Sequence, residues 1–179
     1  PNIYHFADDV PTLAEGFELG TSLQPQQTMA INTAQSPDDS LASMHPKTRY
    51  NIRLAEKKEV KVRWSTTLKD IDEFLRLMHQ TAKRQAIRLH PDHYYQQLFS
   101  ALKGAGMAEL ILAEYNGAVR AAHMIIWHGQ TATYLPGGSD DSTKEAMAPY
   151  LLQWETIKEA NRRGVKEYDL WGIAPDDEP

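Results

Sequence analysis

The hydrophobic positions change period several times along the chain, and each change marks an element. Residues 1–22 show little periodicity and carry Pro11, Gly16 and Gly20, so they read as an irregular lead-in or the tail of an upstream domain. Residues 27–33 alternate as a strand. Ser36-Pro37-Asp38-Asp39 then reads as a helix start, with a capping hydroxyl and proline at the first helical position. Leu41, Met44, Ile52 and Ala55 continue at spacings near three and four, but Pro46 must break or restart that helix before Thr48. Residues 60–64 alternate again. Two helical stripes follow, Ile71-Phe74-Leu75-Met78-Ala82 and, after His90-Pro91, Tyr95-Leu98-Phe99-Leu102. Residues 108–115 and 119–127 are strands joined by the hairpin signal Asn116-Gly117, and Gly129-Gln130 leads to a third strand at 131–135. Gly137-Gly138-Ser139-Asp140-Asp141 reads as a loop. Pro149 opens a helix closed by Arg162-Arg163-Gly164, and 168–173 is a last strand, parallel to the third because a helix crosses between them.

At 179 residues the chain fits one domain with a real core, at roughly 100–200 residues per domain. Hydrophobic residues at 41% and charged residues at 24% exclude disordered, collagen-like and coiled-coil classes. With no cysteine there is no disulfide, thiolate metal site or cysteine nucleophile. No apolar run approaches the ~18 residues that span a bilayer, and no signal peptide opens the chain, so a cytoplasmic protein is expected. The net charge of −5 is uneven: residues 1–43 carry six acids and no Lys or Arg, whereas residues 44–63 carry seven bases against Glu56 and Glu59. A basic block on an acidic chain suggests a local polyanion site.

Helices, a three-strand meander, a crossover helix and a further strand form the layout of the GCN5-related N-acetyltransferase fold, an α/β class with a mixed, mostly antiparallel sheet flanked by helices. That fold cradles the acetyl-CoA diphosphate on backbone N–H groups where the crossover helix begins. Here residues 139–149 hold Asp140, Asp141 and Glu145 against Lys144 alone, and Pro149 removes a donor, so coenzyme A is not expected and no cofactor is implied.

Four stretches at compatible spacing resemble the second domain of the FemABX family. They are Lys47-Thr48-Arg49-Tyr50-Asn51-Ile52-Arg53-Leu54-Ala55 with Val60-Lys61-Val62, Tyr134-Leu135-Pro136-Gly137-Gly138-Ser139, Ala148-Pro149-Tyr150-Leu151-Leu152-Gln153-Trp154-Glu155 and Tyr168-Asp169-Leu170-Trp171-Gly172-Ile173. The resemblance spans about residues 23–173. It implies a peptidoglycan aminoacyltransferase that moves an amino acid from aminoacyl-tRNA to the stem peptide of a UDP-linked or lipid-linked muropeptide. It places the protein in the cytoplasm or at the inner face of the cell membrane, touching membrane only through its substrate and not acting on DNA. Family members carry two acyltransferase-like domains, so 23–179 is expected to be one of the pair, cut short of a Phe-Lys and Phe-Gly segment, with the second domain as a missing partner. The resemblance also implies that Tyr134 and Tyr94 line the precursor site. His90 stands where the best-known relative has a diphosphate-gripping Arg, a departure under which either His90 is protonated by its anion, or Arg88 reaches across, or the head group is held differently.

Other candidates follow from residue chemistry. Arg49, Arg53 and Lys57 recur every four residues, with Lys47 and Lys58 near the edges, and form either a phosphate-binding ridge or a solvated helix face. Arg53 and Asn51 could instead tie the helix to neighbouring loops. Asp169 is either a proton acceptor for the attacking amine or one position of a half-buried strand, and Tyr134 either a substrate contact or core. The His90/His93 pair lacks a shared ligand face, His123 and His128 point to opposite faces, and no metal is expected. Ser139 reads as a turn residue rather than a nucleophile, and Trp127, Trp154 and Trp171 as core. The alternatives to aminoacyl transfer are an acyltransferase of this fold with another donor, and a non-catalytic muropeptide- or RNA-binding module.

Overall fold

A computed structural model describes residues 2–5, 27–65 and 67–173. Strands β1 (Asn2–His5) and β2 (Gln27–Asn32) precede helices α1 (Pro37–Ser43) and α2 (Pro46–Lys57) and strand β3 (Lys61–Ser65). Helices α3 (Lys69–Gln85) and α4 (Asp92–Lys103) lead into β4 (Ala108–Tyr115), β5 (Ala118–His128) and β6 (Thr131–Ser139). A short 3-10 turn at Asp141–Ala146 connects to α5 (Ala148–Arg162), and β7 (Glu167–Ile173) follows. The seven strands form one sheet in the order β1-β2-β7-β6-β5-β4-β3, antiparallel except for β6 with β7. This is the mixed, mostly antiparallel α/β class expected. Within the stretch read as an irregular lead-in, Asn2–His5 is an edge strand on β2; 6–22 lie outside the described residues.

Local chemistry sets most boundaries. Ser36 Oγ accepts the Asp39 N–H at 3.1 Å with Pro37 behind it, and His45 Nδ1 accepts the Lys47 N–H at 3.2 Å, so Pro46 starts α2 rather than breaking a helix. Asn116 and Gly117 both take positive φ, 52° and 73°, as a two-residue hairpin turn requires. Alternate residues of β4 then divide the core. Leu110 and Leu112 pack under α3 and α4, whereas Ile111 and Ala113 pack under α2 and α5, giving three layers with the sheet in the middle. Trp127 and Trp154 are core, but Trp171 has φ 70° and is 39% exposed, because that backbone turn swings it out of the strand's alternation.

The glycine pair expected in a loop lies inside β6. A Cβ on Gly138 would sit 2.2 Å from the Leu77 carbonyl carbon and 2.3 Å from its oxygen, so the α3 backbone rests directly on the strand. Thr81 on the same helix accepts the Ser139 N–H at 2.9 Å, and Ser139 is a strand-end residue rather than part of a turn. Glycines mark a close approach here, which composition alone reads as flexibility.

Between the sheet and α5 a polar chain is sealed in the core. Thr156 donates its hydroxyl proton to the Leu152 carbonyl at 2.9 Å, so its oxygen accepts from Nε2–H of His123 at 3.0 Å. The Tyr134 ring meets the His123 ring edge-on at 5.2 Å. Tyr168, fully buried, donates its hydroxyl proton to the Gln153 amide oxygen. His123 is 1% exposed, and burial pushes its pKa down to about 3.

Two outcomes are expected. Gly138→Ala should cost about 3 kcal/mol, the upper end for overpacking against backbone, read as a lowered urea midpoint; an unchanged midpoint would mean that α3 does not bear on the strand. The unfolded chain protonates His123 near ~6.5 and the folded chain only near 3, so stability falls as pH drops between these values, by up to about 1.4 kcal/mol per unit. The folded-state pKa of Asp70 and of Asp140 is depressed as well, Asp70 chiefly by Arg63 and Asp140 chiefly by the Ser142 backbone N–H, but these add acid sensitivity only below about pH 4. His123→Asn should therefore flatten the slope between pH 6.5 and 4 in denaturation curves, and an identical slope would remove His123 as its cause.

Candidate functional site

The parallel register of β6 and β7 ends at Thr133–Asp169. Beyond it Tyr134, Leu135, Gly138 and Ser139 stay paired with β5, while Gly172 and Ile173 pair with β2. The strands part at their carboxyl ends, where open α/β sheets place their ligand crevices, and α5 starts beside the gap. On this face a cavity of about 880 Å³ lies between β2, the α1–α2 corner, the first turns of α5 and Leu170. Its volume is within the ~300–1,000 Å³ range of small-molecule sites.

The cavity wall is apolar with spaced polar groups. Met29, Ile31, Met44 and Trp154 supply much of the apolar surface, and the polar groups include Asn32, Gln35, His45, Thr48, Tyr150 and Gln153; no Asp, Glu, Lys or Arg lines it among the described residues. Gln153 connects the cavity to the buried chain. Tyr168 donates to its amide oxygen, and the same side chain lines the cavity. The cavity suits an uncharged, amphipathic group. Gln153 and Tyr150 were visible in the sequence only as members of the family-like run from Ala148 to Glu155; neither has a local signal of its own.

Asp169 sits at the fork itself. Its Oδ1 accepts the Trp171 N–H at 2.9 Å and the Thr28 hydroxyl proton, and so stabilises the positive φ of Trp171 and the irregular register where β2 meets β7. Tyr134 lies one residue past the last paired position. Its ring packs with the α5-side core, its hydroxyl oxygen accepts the Gly137 N–H at 3.0 Å, and burial pushes its pKa up.

The remaining expected precursor contacts lie across the sheet. Tyr94 is 43% exposed and its ring lies against His90 at 4.5 Å, tilted by 33°. His90 borders a hollow of about 450 Å³ with His79, Lys83 and Asp92, where His79 Nε2 and the Asp92 carboxylate lie 2.7 Å apart, and Arg88 is exposed two positions before His90. Leu89 and Tyr95 of this segment belong to the α3–α4 core, whereas Tyr134 packs on the α5 face, so His90 and Tyr94 lie together and Tyr134 lies apart from them. Among the described residues no group of three or more His, Asp or Glu is placed to hold a metal.

Two electrostatic expectations change. Arg49 leaves the α2 ridge: its guanidinium turns inward and donates to the carbonyls of Ala42, at 3.0 Å, and Met44 at the end of α1. Lys47, Arg53 and Lys57 remain exposed. The acidic loop is also less acidic than its sequence, because distant residues neutralise it. Arg120 pairs with Asp140 at 2.7 Å, and Arg84 and Lys144 pair with Asp141 at 2.9 and 2.7 Å. Repulsion of a diphosphate therefore no longer argues against coenzyme A; the shortage of donors does. Pro149 has no N–H, and that of Tyr150 is bonded to the Met147 carbonyl at 3.0 Å.

Known proteins share this architecture. The lipid II:glycine glycyltransferase of Staphylococcus epidermidis is 30% identical over 226 aligned residues, covering 90% of this chain and 54% of that protein. The chain thus spans about half the length of the curated relatives it matches. The crystal structure of FemX superposes with a TM-score of 0.82 at 19% identity, over 98% of this chain and 58% of that one. A predicted acetyltransferase with acetyl-CoA from Clostridium acetobutylicum superposes at 0.53 and 12% identity, over 65% of this chain and 82% of that one. The Fem-type resemblance read from the four sequence stretches is thereby borne out. The acetyltransferase (GNAT) domain family matches residues 42–178, from α1 through β7, and the chain belongs to that family.

Proposed function

We propose that the chain is the acyltransferase-like part of an enzyme that builds peptidoglycan cross-bridges, joining an amino acid from aminoacyl-tRNA to the stem peptide of a lipid-linked precursor. The observation that carries this reading is the 30% identity to a lipid II:glycine glycyltransferase across 90% of the chain. The overall shape agrees, with FemX aligned over 98% of the chain. No helix among the described residues is long and apolar enough to cross a membrane, so contact with the bilayer would come through the substrate, at the cytoplasmic face.

The chemistry asks little of a nucleophile. An aminoacyl ester is already activated, so the protein's task is to hold ester and amine together and stabilise the oxyanion, with no covalent intermediate on the enzyme. The crevice between β6 and β7 is the natural place for this, with the uncharged cavity beside it taking the neutral part of a substrate and the Gln153 amide donating to a carbonyl there. The diphosphate sugar head group is assigned to the His90–Tyr94 pair, with Lys83 on the rim of the same hollow, Arg88 two positions away in the chain, and the Asp92 carboxylate there taken up by His79. Tyr134 and Asp169 shape the crevice wall through Gly137, Thr28 and Trp171, and Asp169, at the fork, is the carboxylate assigned to take up the amine proton.

The test is a transfer assay with a lipid II analogue and each aminoacyl-tRNA in turn, read by mass spectrometry. One aminoacyl-tRNA should add one residue mass to the stem peptide; acyl transfer from acetyl-CoA with none from any charged tRNA would sink the reading. In the same assay His90→Ala and Tyr94→Ala should each raise KM for the precursor about 10-fold or more with a smaller change in kcat, the mark of lost binding to a charged group. Unaltered KM in both variants would remove that patch from the site.

A further inference from the structure

The outer face of α2 carries side chains that neither the core nor the cavity uses. Lys47, Tyr50, Arg53 and Lys57 are all exposed, and at roughly 100° per residue they fall in one stripe opposite the buried Asn51, Ile52 and Ala55. Tyr50, near the middle of the stripe, is 63% exposed, more than any other large hydrophobic side chain among the described residues. Arg49 does not contribute, being held by the carbonyls of Ala42 and Met44. No carboxylate lies within the stripe; Glu56 stands at its edge.

We propose that this stripe binds unpaired RNA, with Tyr50 stacked on a base and Lys47, Arg53 and Lys57 on the phosphates to either side. The assignment rests on the reading of aminoacyl-tRNA as the donor and names the surface that receives it. Lys47 and Lys57 lie ten positions apart, about 15 Å along a helix, which is the run of about four stacked nucleotides. Alternating cations with an aromatic ring is what single strands require: charge for the backbone, a flat surface for the base. An anionic membrane fits less well. Surface-bound helices sink an apolar face into the lipid, and the apolar face of α2 is already buried against α5. With a net charge of −5 the chain also lacks a general attraction to polyanions, so binding depends on these few residues.

The experiment measures fluorescence anisotropy of a labelled single-stranded RNA ending in CCA against the 179-residue chain over a range of salt. Three phosphate contacts predict a log–log salt slope near −2, and each of Lys47→Ala, Arg53→Ala and Lys57→Ala should remove about 0.7 from it. Tyr50→Ala should weaken binding about 5-fold or more, and Tyr50→Phe should retain wild-type affinity because it keeps the stacking ring. All four positions are exposed, so the variants should fold, which circular dichroism checks before binding is measured. The proposal is overturned if Tyr50→Ala and the triple cation variant bind RNA like the wild type, or if these variants lose affinity only for phosphatidylserine vesicles. If charged tRNA supports transfer equally well in the stripe variants, the surface is misassigned while the donor reading stands. If transfer runs only from a donor without RNA, and no RNA binds, both readings fail together.

Discussion

Three residue pairs hold β6 to β7, Thr131–Glu167, Ala132–Tyr168 and Thr133–Asp169, and where they stop the sheet divides. Everything of chemical interest on the α5 side follows from that short register. A parallel pair must be joined by a crossover, which puts α5 over the sheet, and the parting of the strands leaves the first turns of α5 beside an opening instead of a closed surface. β6 can leave β7 because it is held from elsewhere. Its far half stays on β5, and the α3 backbone rests on Gly138, with Thr81 holding the Ser139 N–H. β7 in turn follows β2, with Asp169 bracing the turn at Trp171.

The buried polar chain fits the same logic. Thr156 and Gln153 face the sheet from α5, and each meets a partner from a different strand, His123 on β5 and Tyr168 on β7. Such groups cost free energy when buried unless each bond is made, so they fix the rotation of α5 more sharply than apolar contacts would. Because Gln153 also borders the cavity, the orientation of its amide is set by the core and presented to the crevice. His123 is kept neutral by the same burial.

Charge is arranged differently on the two faces and the edge. The α3–α4 face gathers Lys83, His79, His90 and Asp92 around a hollow, the cavity on the α5 face has no Asp, Glu, Lys or Arg among the described residues, and α2 displays a cationic stripe with a tyrosine in it. That separation is compatible with a substrate whose anionic head group, neutral body and polyanionic donor must be held apart while two atoms react. The network of Arg84, Arg120 and Lys144 with Asp140 and Asp141 belongs to the scaffold: it pins the turn between β6 and α5.

The sequence by itself determined the elements from β2 onward, their order and the family, though not the edge strand β1 or the full length of β6. Ser36-Pro37, Asn116-Gly117 and Gly164 act through backbone geometry within a few residues, and the stripes of α3 and α4 follow from helical period, so all of these were legible locally. The tertiary structure alone decided what the polar residues do. Gly137 and Gly138 read locally as a loop, yet Gly138 lies under the α3 backbone and Gly137 against Ala122 and His123 of β5; Arg49 reads as a phosphate ligand, yet the end of α1 takes its guanidinium; Asp140 and Asp141 read as repulsive, yet Arg120 and Arg84 from other elements pair with them. His90 and Tyr94 were placed together as expected, but Tyr134 was set on the opposite face, because alternation along β6 assigns it to the α5 layer. Period and turn chemistry are short-range properties of the chain, whereas the partner of a charge or of a bare backbone is chosen by which distant segments the fold brings within a few ångströms.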